Sequence, residues 1–300
     1  MSEDEYLDIY DDIELDEGTT RLLDQAPVHV DLGAPRPLKD FEFGSDEYCS
    51  NYKKAITLET KKRTGLDPFD WQLDVAPNSH LGRDVFLLAG TGSGKTLALV
   101  MPAFLDSGMK IFLVSPLNAL ANAQVEEFDN WKLKAVAVNA TTKYKTLKKD
   151  ILRGEFQIVL SSIEAFTDTT RLLPIIKSPE LAALGPQRFV IDEAHCIPKW
   201  GQHFRPQYAL VGTLKLVLTG EVSTVAATAT ANNLMRQAIK QSLRFGPDAF
   251  QVNLGNRRPN IAYSVHRIKN ASAVGTDLLE YFPSKSELPG FTLILWTRGN

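Results

Sequence analysis

The residues best suited to chemistry in this chain lie in Val85-Phe86-Leu87-Leu88-Ala89-Gly90-Thr91-Gly92-Ser93-Gly94-Lys95-Thr96. An apolar run leads into a glycine-rich turn, then Lys-Thr, then an apolar segment with helical spacing, an order that predicts strand, phosphate-binding loop and helix. Phosphates need several backbone N–H donors at close range. Gly90, Gly92 and Gly94 remove the Cβ atoms that would block that approach, so the amides of residues 89–96 can form an anion cradle at a helix N-terminus. Lys95 is placed to reach the β- and γ-phosphates of a nucleoside triphosphate, and the Thr96 hydroxyl to ligate Mg²⁺. Ala89 stands at the first position of the pattern, where glycine is usual. The bland alternative is an ordinary glycine-rich turn that happens to precede Lys-Thr.

A second constellation is Arg188-Phe189-Val190-Ile191-Asp192-Glu193-Ala194-His195, with Asp192 lying 97 residues after Lys95. Here a strand of the buried type ends in two adjacent acids. Triphosphate hydrolysis needs one carboxylate to hold Mg²⁺ and another to orient and polarise the attacking water. Asp192, at the strand end, suits the metal, and Glu193 suits the water. An isolated Asp-Glu pair would read as a solvated strand terminus.

Both constellations need a frame that brings strand ends together. Further apolar runs of strand length occur at Ile111–Val114, Ala135–Val138, Gln157–Leu160, Thr224–Ala227 and Phe250–Leu254. Amphipathic segments separate several of them: Leu117–Trp131, Tyr144–Leu152, Pro206–Leu218 and Ala231–Phe245. Strands alternating with helices predict an α/β fold, a parallel sheet covered on both faces, with ligands gathered at the carboxyl ends of the strands. Upstream, a helix is expected over about 48–64, broken at Gly65-Leu66-Asp67-Pro68, and a short one over 71–76. Residues 1–45 read as an acidic tail and linker, 46–255 as the nucleotide-binding domain, and 256–300 as a linker and the start of a further domain that opens on the strand-like run 291–297.

Composition narrows the class. At 44% hydrophobic and 23% charged residues, the chain reads as a soluble globular protein. Its longest apolar run, Leu97 to Leu105, is far short of the roughly 20 residues needed to span a bilayer, and the acidic N-terminus is no secretory signal. Cys49 and Cys196 share no CxxC spacing, which favours a reducing compartment and argues against structural zinc. The net charge of −3 hides an asymmetry: residues 1–17 hold nine acids and no Lys or Arg, leaving residues 18–300 at +6. That pattern fits a nucleic-acid binder whose tail competes for the basic surface, and it fits a solubilising tail equally well.

From Asp192 through Tyr208 the sequence DEAHCIPKWGQHFRPQY resembles the second Walker motif and aromatic-rich loop of RecQ-type DNA helicases, members of helicase superfamily 2. Five other segments resemble that family's motifs in the family's order: Asp70-Trp71-Gln72, Val114-Ser115-Pro116-Leu117-Asn118-Ala119-Leu120, Ser161-Ser162-Ile163-Glu164, Ala227-Thr228-Ala229-Thr230 and Asn256-Arg257-Arg258-Pro259-Asn260-Ile261, with the phosphate loop between the first two. Two departures bear on the DNA contacts: Pro198-Lys199 stands where Ser-Gln is common, and Ile163 where proline is usual.

The resemblance implies a RecA-like domain 1 of an ATP-dependent 3′-to-5′ DNA helicase acting in recombination or repair. ATP would lie on 89–96 with Gln72 on adenine. Single-stranded or partly duplex DNA would cross Ser115, Asn118, Trp200, Phe204 and Arg205, and His195 would link the nucleotide site to Thr228 and Thr230. Stacking of Trp200 and Phe204 on unpaired bases is worth about 1–3 kcal/mol per base and asks for no particular sequence; the alternative is that Trp200, Phe204 and Tyr208 are core aromatics. Nuclear residence follows from the same resemblance, which names no protein partner, while the shortness of the apolar runs argues against a membrane role. The family's second motor domain supplies an arginine finger worth about 10³–10⁵ in rate, so one motor domain alone is expected to hydrolyse ATP slowly. Two other readings remain: a paralogue that binds ATP or DNA without unwinding, and an RNA helicase of the DEAD or DEAH type.

Overall fold

The computed structural model describes residues 35–255, apart from 117–120, 140–141, 143 and 202–203. The expected strand and helix beyond residue 256, the Arg257-Arg258-Pro259 segment and Asn118 therefore lie outside the described residues, as does most of the acidic tail.

Seven strands form one sheet in which every pairing is parallel: β1 (Val85–Leu88), β2 (Lys110–Val114), β3 (Ala135–Val138), β4 (Ile158–Ser161), β5 (Gln187–Ile191), β6 (Val222–Thr228) and β7 (Phe250–Asn253). Their order is β3-β4-β2-β5-β6-β1-β7. After β1 the chain crosses over β6 and β5 to reach β2. This reversal of direction opens a crevice at the carboxyl ends of the strands.

Residues alternate between the two faces, as a period of two requires. Val85 and Leu87 join one core while Phe86 and Leu88 join the other. The first core takes apolar residues from helices Asp46–Thr64, Asp70–His80, Lys95–Val100 and Ala121–Asn130. The second takes them from Tyr144–Leu152, Ile163–Thr167, Val211–Val217 and Asn233–Ser242. The inner strands β1, β2, β4 and β5 are buried throughout, whereas the edge strands β3 and β7 keep partly open positions.

Two boundaries differ from expectation. The segment just before residue 46 is tied to the domain: Leu38 and Phe41 pack against the first core, Asn51 exchanges hydrogen bonds with the Arg36 backbone, and Ser45 caps the following helix by accepting from the Tyr48 N–H. The stretch expected as one helix over Pro206–Leu218 is a 3-10 turn, Pro206–Leu210, followed by an α-helix, Val211–Val217. The short helices Ile163–Thr167, Leu173–Ile176 and Pro179–Ala182, between β4 and β5, are too brief for a 3.6-residue period to announce them.

Arg188 of β5 is fully buried, and no carboxylate pairs with it among the described residues. Its guanidinium donates to the Leu99 carbonyl at 3.0 Å and to the Ser79 hydroxyl. Leu99 lies in the last turn of the helix that begins at Lys95, where carbonyls lack helical partners and a cation is favoured. Arg188 thus caps the phosphate-loop helix from inside the sheet.

Candidate active site

β1 ends at Leu88, and the turn that follows folds as a cradle. Gly92 and Gly94 take φ of +80° and +86°, the left-handed region that side chains disfavour, and nothing lies within 4 Å of where a Cβ on Gly90 or Gly92 would project. Gly94 is the N-cap of the helix Lys95–Val100. The Lys95 ammonium donates to the Ala89 carbonyl at 2.9 Å and the Gly90 carbonyl at 3.2 Å, which holds a positive charge over the cradle.

Gln72 is buried and braces this loop. Its Nε2 donates to the Gly94 carbonyl at 2.8 Å, and its Oε1 accepts the Phe69 N–H at 2.8 Å, closing the first turn of its own helix. One amide hydrogen and one lone pair remain for a ligand.

Asp192 follows β5 directly, with its N–H donating to the Val114 carbonyl. Thr91, Gly92, Gly94, Lys95, Thr96, Asp192 and Glu193 line the same open cavity of about 500 Å³. The cradle and the acid pair therefore face each other across one cleft. The two acids are in different electrostatic states. Burial pushes the Asp192 carboxyl up, and the neighbouring Glu193 charge adds to the shift. The hydrogen bond from His195 holds Glu193 below its ordinary value, against burial. Adjacent carboxyls driven in opposite directions are suited to separate roles.

Glu193 has φ +52°, a left-handed backbone at a non-glycine residue. Such a conformation persists only where the surroundings hold it: the Glu193 N–H donates to Asp192 Oδ1 at 2.9 Å, its carbonyl accepts the Cys196 N–H at 2.9 Å, and His195 engages its carboxylate. The His195 Nδ1 lies 3.0 Å from the Glu193 carboxylate and 3.1 Å from the Thr228 Oγ1. Thr228 Oγ1 in turn donates to the Thr230 carbonyl at 3.2 Å and accepts the Thr230 N–H at 3.3 Å. A continuous polar chain runs from Glu193 through His195 to the end of β6.

The aromatic loop divides into inner and outer parts. Tyr208 is core, Trp200 is half-buried and meets Phe204 and Tyr208 edge-on, and Phe204 is 71% exposed. Arg205 is already engaged: Nε donates to Glu164 Oε1 at 2.6 Å, Nη2 to Glu164 Oε2 at 2.5 Å, and Nη1 to the Pro116 carbonyl at 3.1 Å. Ser115 is buried, with its N–H on the Ser161 carbonyl.

Among the residues that line the cleft, sequence reasoning missed Phe69, Glu127 and Trp131, and it missed the role of Glu164 as partner of Arg205. Phe69 carries a local signal, an exposed aromatic just ahead of Gln72 in the turn before its helix. Glu127 and Trp131 carry none, because only the fold brings the far end of the helix Ala121–Asn130 to the cleft.

Mg²⁺ suits this donor set. It favours one or two hard oxygen ligands beside phosphate and water, and Thr96 and Asp192 offer a hydroxyl and a desolvated carboxylate on one cleft. Among the described residues no helix is long and apolar enough to cross a membrane.

The chain is 28% identical over 269 residues to the ATP-dependent DNA helicase Q-like SIM of Arabidopsis thaliana, covering 85% of this chain and 31% of that protein. It is 32% identical over 206 residues to the probable ATP-dependent DNA helicase RecS of Bacillus subtilis (strain 168), covering 67% of this chain and 38% of that one. It thus spans about a third of the length of these relatives. The crystal structure of the DUF1998 helicase MrfA bound to DNA superposes with a TM-score of 0.52 at 18% identity, covering 74% of this chain and 31% of that one, which establishes the shared RecA-like fold. The DEAD/DEAH box helicase family model matches residues 69–237. With its phosphate cradle, acid pair and histidine link lying within that match, the chain belongs to the DEAD/DEAH box helicase family and has RecQ-type DNA helicases among its relatives.

Proposed function

We propose that residues 46–255 are the first motor domain of a RecQ-type ATP-dependent 3′-to-5′ DNA helicase, that residues 256–300 lead into a second motor domain, and that residues 1–45 are largely a tail. The observation that carries this reading is the single cleft shared by the glycine cradle and the Asp192–Glu193 pair, with Glu193 joined through His195 to Thr228.

In this reading the amides of residues 89–96 and Lys95 bind the triphosphate, Gln72 reads adenine with its remaining donor and acceptor, and Phe69 offers the base an apolar surface. Thr96 and Asp192 hold Mg²⁺, which neutralises phosphate charge when bound. Glu193 orients the attacking water and accepts its proton. Thr228 and Thr230 receive the state of Glu193 through His195. DNA crosses Ser115, Asn118, Trp200, Phe204 and Arg205, and Arg205 must exchange Glu164 for a phosphate to do so. Work on DNA in recombination or repair, and nuclear residence, go with this reading.

Titration of the full chain with a fluorescent ATP analogue and Mg²⁺ tests the nucleotide site. Binding is expected in the wild type and lost in Lys95→Ala. Absence of binding in the wild type overturns the proposal. Titration with single-stranded DNA and RNA of equal length tests the second substrate, and a clear RNA preference would move the chain to the RNA helicases.

A further inference from the structure

The helix Tyr144–Leu152 goes against two local electrostatic preferences at once. Leu147 and Ile151 are buried in the second core, while Lys145, Lys148 and Lys149 are exposed and share one face at spacings of three and four. Like charges so placed disfavour a helix by about 0.2–0.5 kcal/mol per pair. Lys145 also sits in the first turn, where the helix end is itself positive, and no acid in that turn offsets it.

The rest of the described protein does little to compensate. None of the three lysines makes an ion pair among the described residues. Lys148 attracts Glu180, but that carboxylate is already bonded to the Ser178 hydroxyl. Local rules are broken most readily where function requires it, and here the missing element is negative charge from outside.

The position of the helix says which polyanion fits. It follows β3, so its first turn lies at the carboxyl edge of the sheet, the edge that also carries the cradle and the acids. From β5 that edge continues through β2 and β4 to β3, in steps of about 4.8 Å. Contacts join the stations along it: Arg205 spans Glu164 after β4 and Pro116 after β2, and Arg171 donates to the Asn139 carbonyl after β3. Trp200 and Leu147 pack on the same face of the sheet. A strand lying across Trp200 and Phe204 and continuing along this edge reaches the lysines. The outward face of the helix presents no aromatic ring, so it offers charge alone and reads no base.

We propose that Lys145, Lys148 and Lys149 form an auxiliary contact for the sugar-phosphate backbone of the nucleic-acid strand, beyond the aromatic loop on the β4–β3 side. The inference rests on the DNA reading above and extends it to a surface that no motif marks.

The test is fluorescence anisotropy of the full chain with oligothymidylates of about 8 and about 25 nucleotides, comparing wild type with K145E/K148E/K149E. For the long strand, affinity is expected to fall roughly tenfold at low salt, and the slope of log K against log salt to flatten by about 2. Affinity for the short strand is expected to stay within about twofold of wild type. K145E would complement the helix dipole in the first turn and K149E would oppose it in the last, and all three side chains are exposed, so the melting temperature should stay close to wild type. K145Q/K148Q/K149Q should weaken long-strand binding in the same sense. Wild-type affinity and slope in the triple variant overturn the proposal, as does equal loss at both lengths. Equally tight, lysine-dependent binding of polyglutamate overturns the assignment to nucleic acid. If the wild type binds neither oligonucleotide, the DNA reading itself fails, a result distinct from those.

Discussion

Arg205 grips Glu164 with two parallel hydrogen bonds, Nε to Oε1 and Nη2 to Oε2, so the aromatic loop after the acid pair is moored to the helix that follows β4. A guanidinium and a carboxylate matched in this way form the stronger kind of ion pair. The Glu164 side chain is more than a third exposed, so solvent screening limits the contribution to about 1 kcal/mol.

Glu164→Gln is expected to lower stability by about that amount at neutral pH, read from the urea midpoint. Burial alone would raise the Glu164 carboxyl, but Arg205 and Ser162 together hold it below the ordinary value of 4.5. A carboxyl with a depressed folded value contributes its full stability above the unfolded value and loses it as pH falls through the folded one. The gap between wild type and variant should therefore persist below the ordinary carboxylate range and close only as pH falls through the depressed Glu164 value. A gap that persists into stronger acid would mean that the variant acts through packing.

His195→Ala should leave ATP affinity intact and reduce turnover by roughly tenfold or more, because Glu193 loses the partner that holds its carboxylate. His195→Asn can place an amide N–H where Nδ1 stood and should recover part of the rate. Equal defects in the two variants would argue against the hydrogen-bond link.

Gly94→Ala tests the cradle. A Cβ there would meet Gln72 Nε2 at 2.8 Å, and φ of +86° adds a conformational cost of about 1–2 kcal/mol. The variant should melt at lower temperature and bind ATP more weakly. The double variant Gly94→Ala with Gln72→Ala should recover some stability by removing the clash.

Phe204→Ala separates recognition from folding. With its ring 71% exposed, the substitution should leave the melting temperature within error. On the stacking reading it should weaken single-stranded DNA binding by about 1–3 kcal/mol, measured by anisotropy. Loss of stability without loss of DNA affinity would return the residue to a structural role.

Local pattern carried most of the sheet. The strands over 85–88, 111–114, 135–138, 158–160, 188–191, 224–227 and 250–253 were readable because each is a short apolar run buried on one or both sides. The phosphate cradle was readable from its glycines, since few other turns need left-handed backbone twice in three residues. Strand order was not, because no local feature states that β6 inserts between β5 and β1. Nor was the engagement of Arg205 by Glu164, a pair 41 residues apart whose meeting depends on β2 lying between β4 and β5. The same holds for Arg188, which in the sequence reads as the flank of a strand and in the fold caps a helix.

That cap has a mechanical consequence. β5 grips the phosphate-loop helix at its far end through Arg188 and confronts its near end through Asp192. The strand works as a caliper: the gap between the cradle and Asp192 is set by covalent length and a buried bond. On the proposed reading, a ligand's displacement would fall on the left-handed backbone of Glu193 and the loop beyond it, leaving the jaws still.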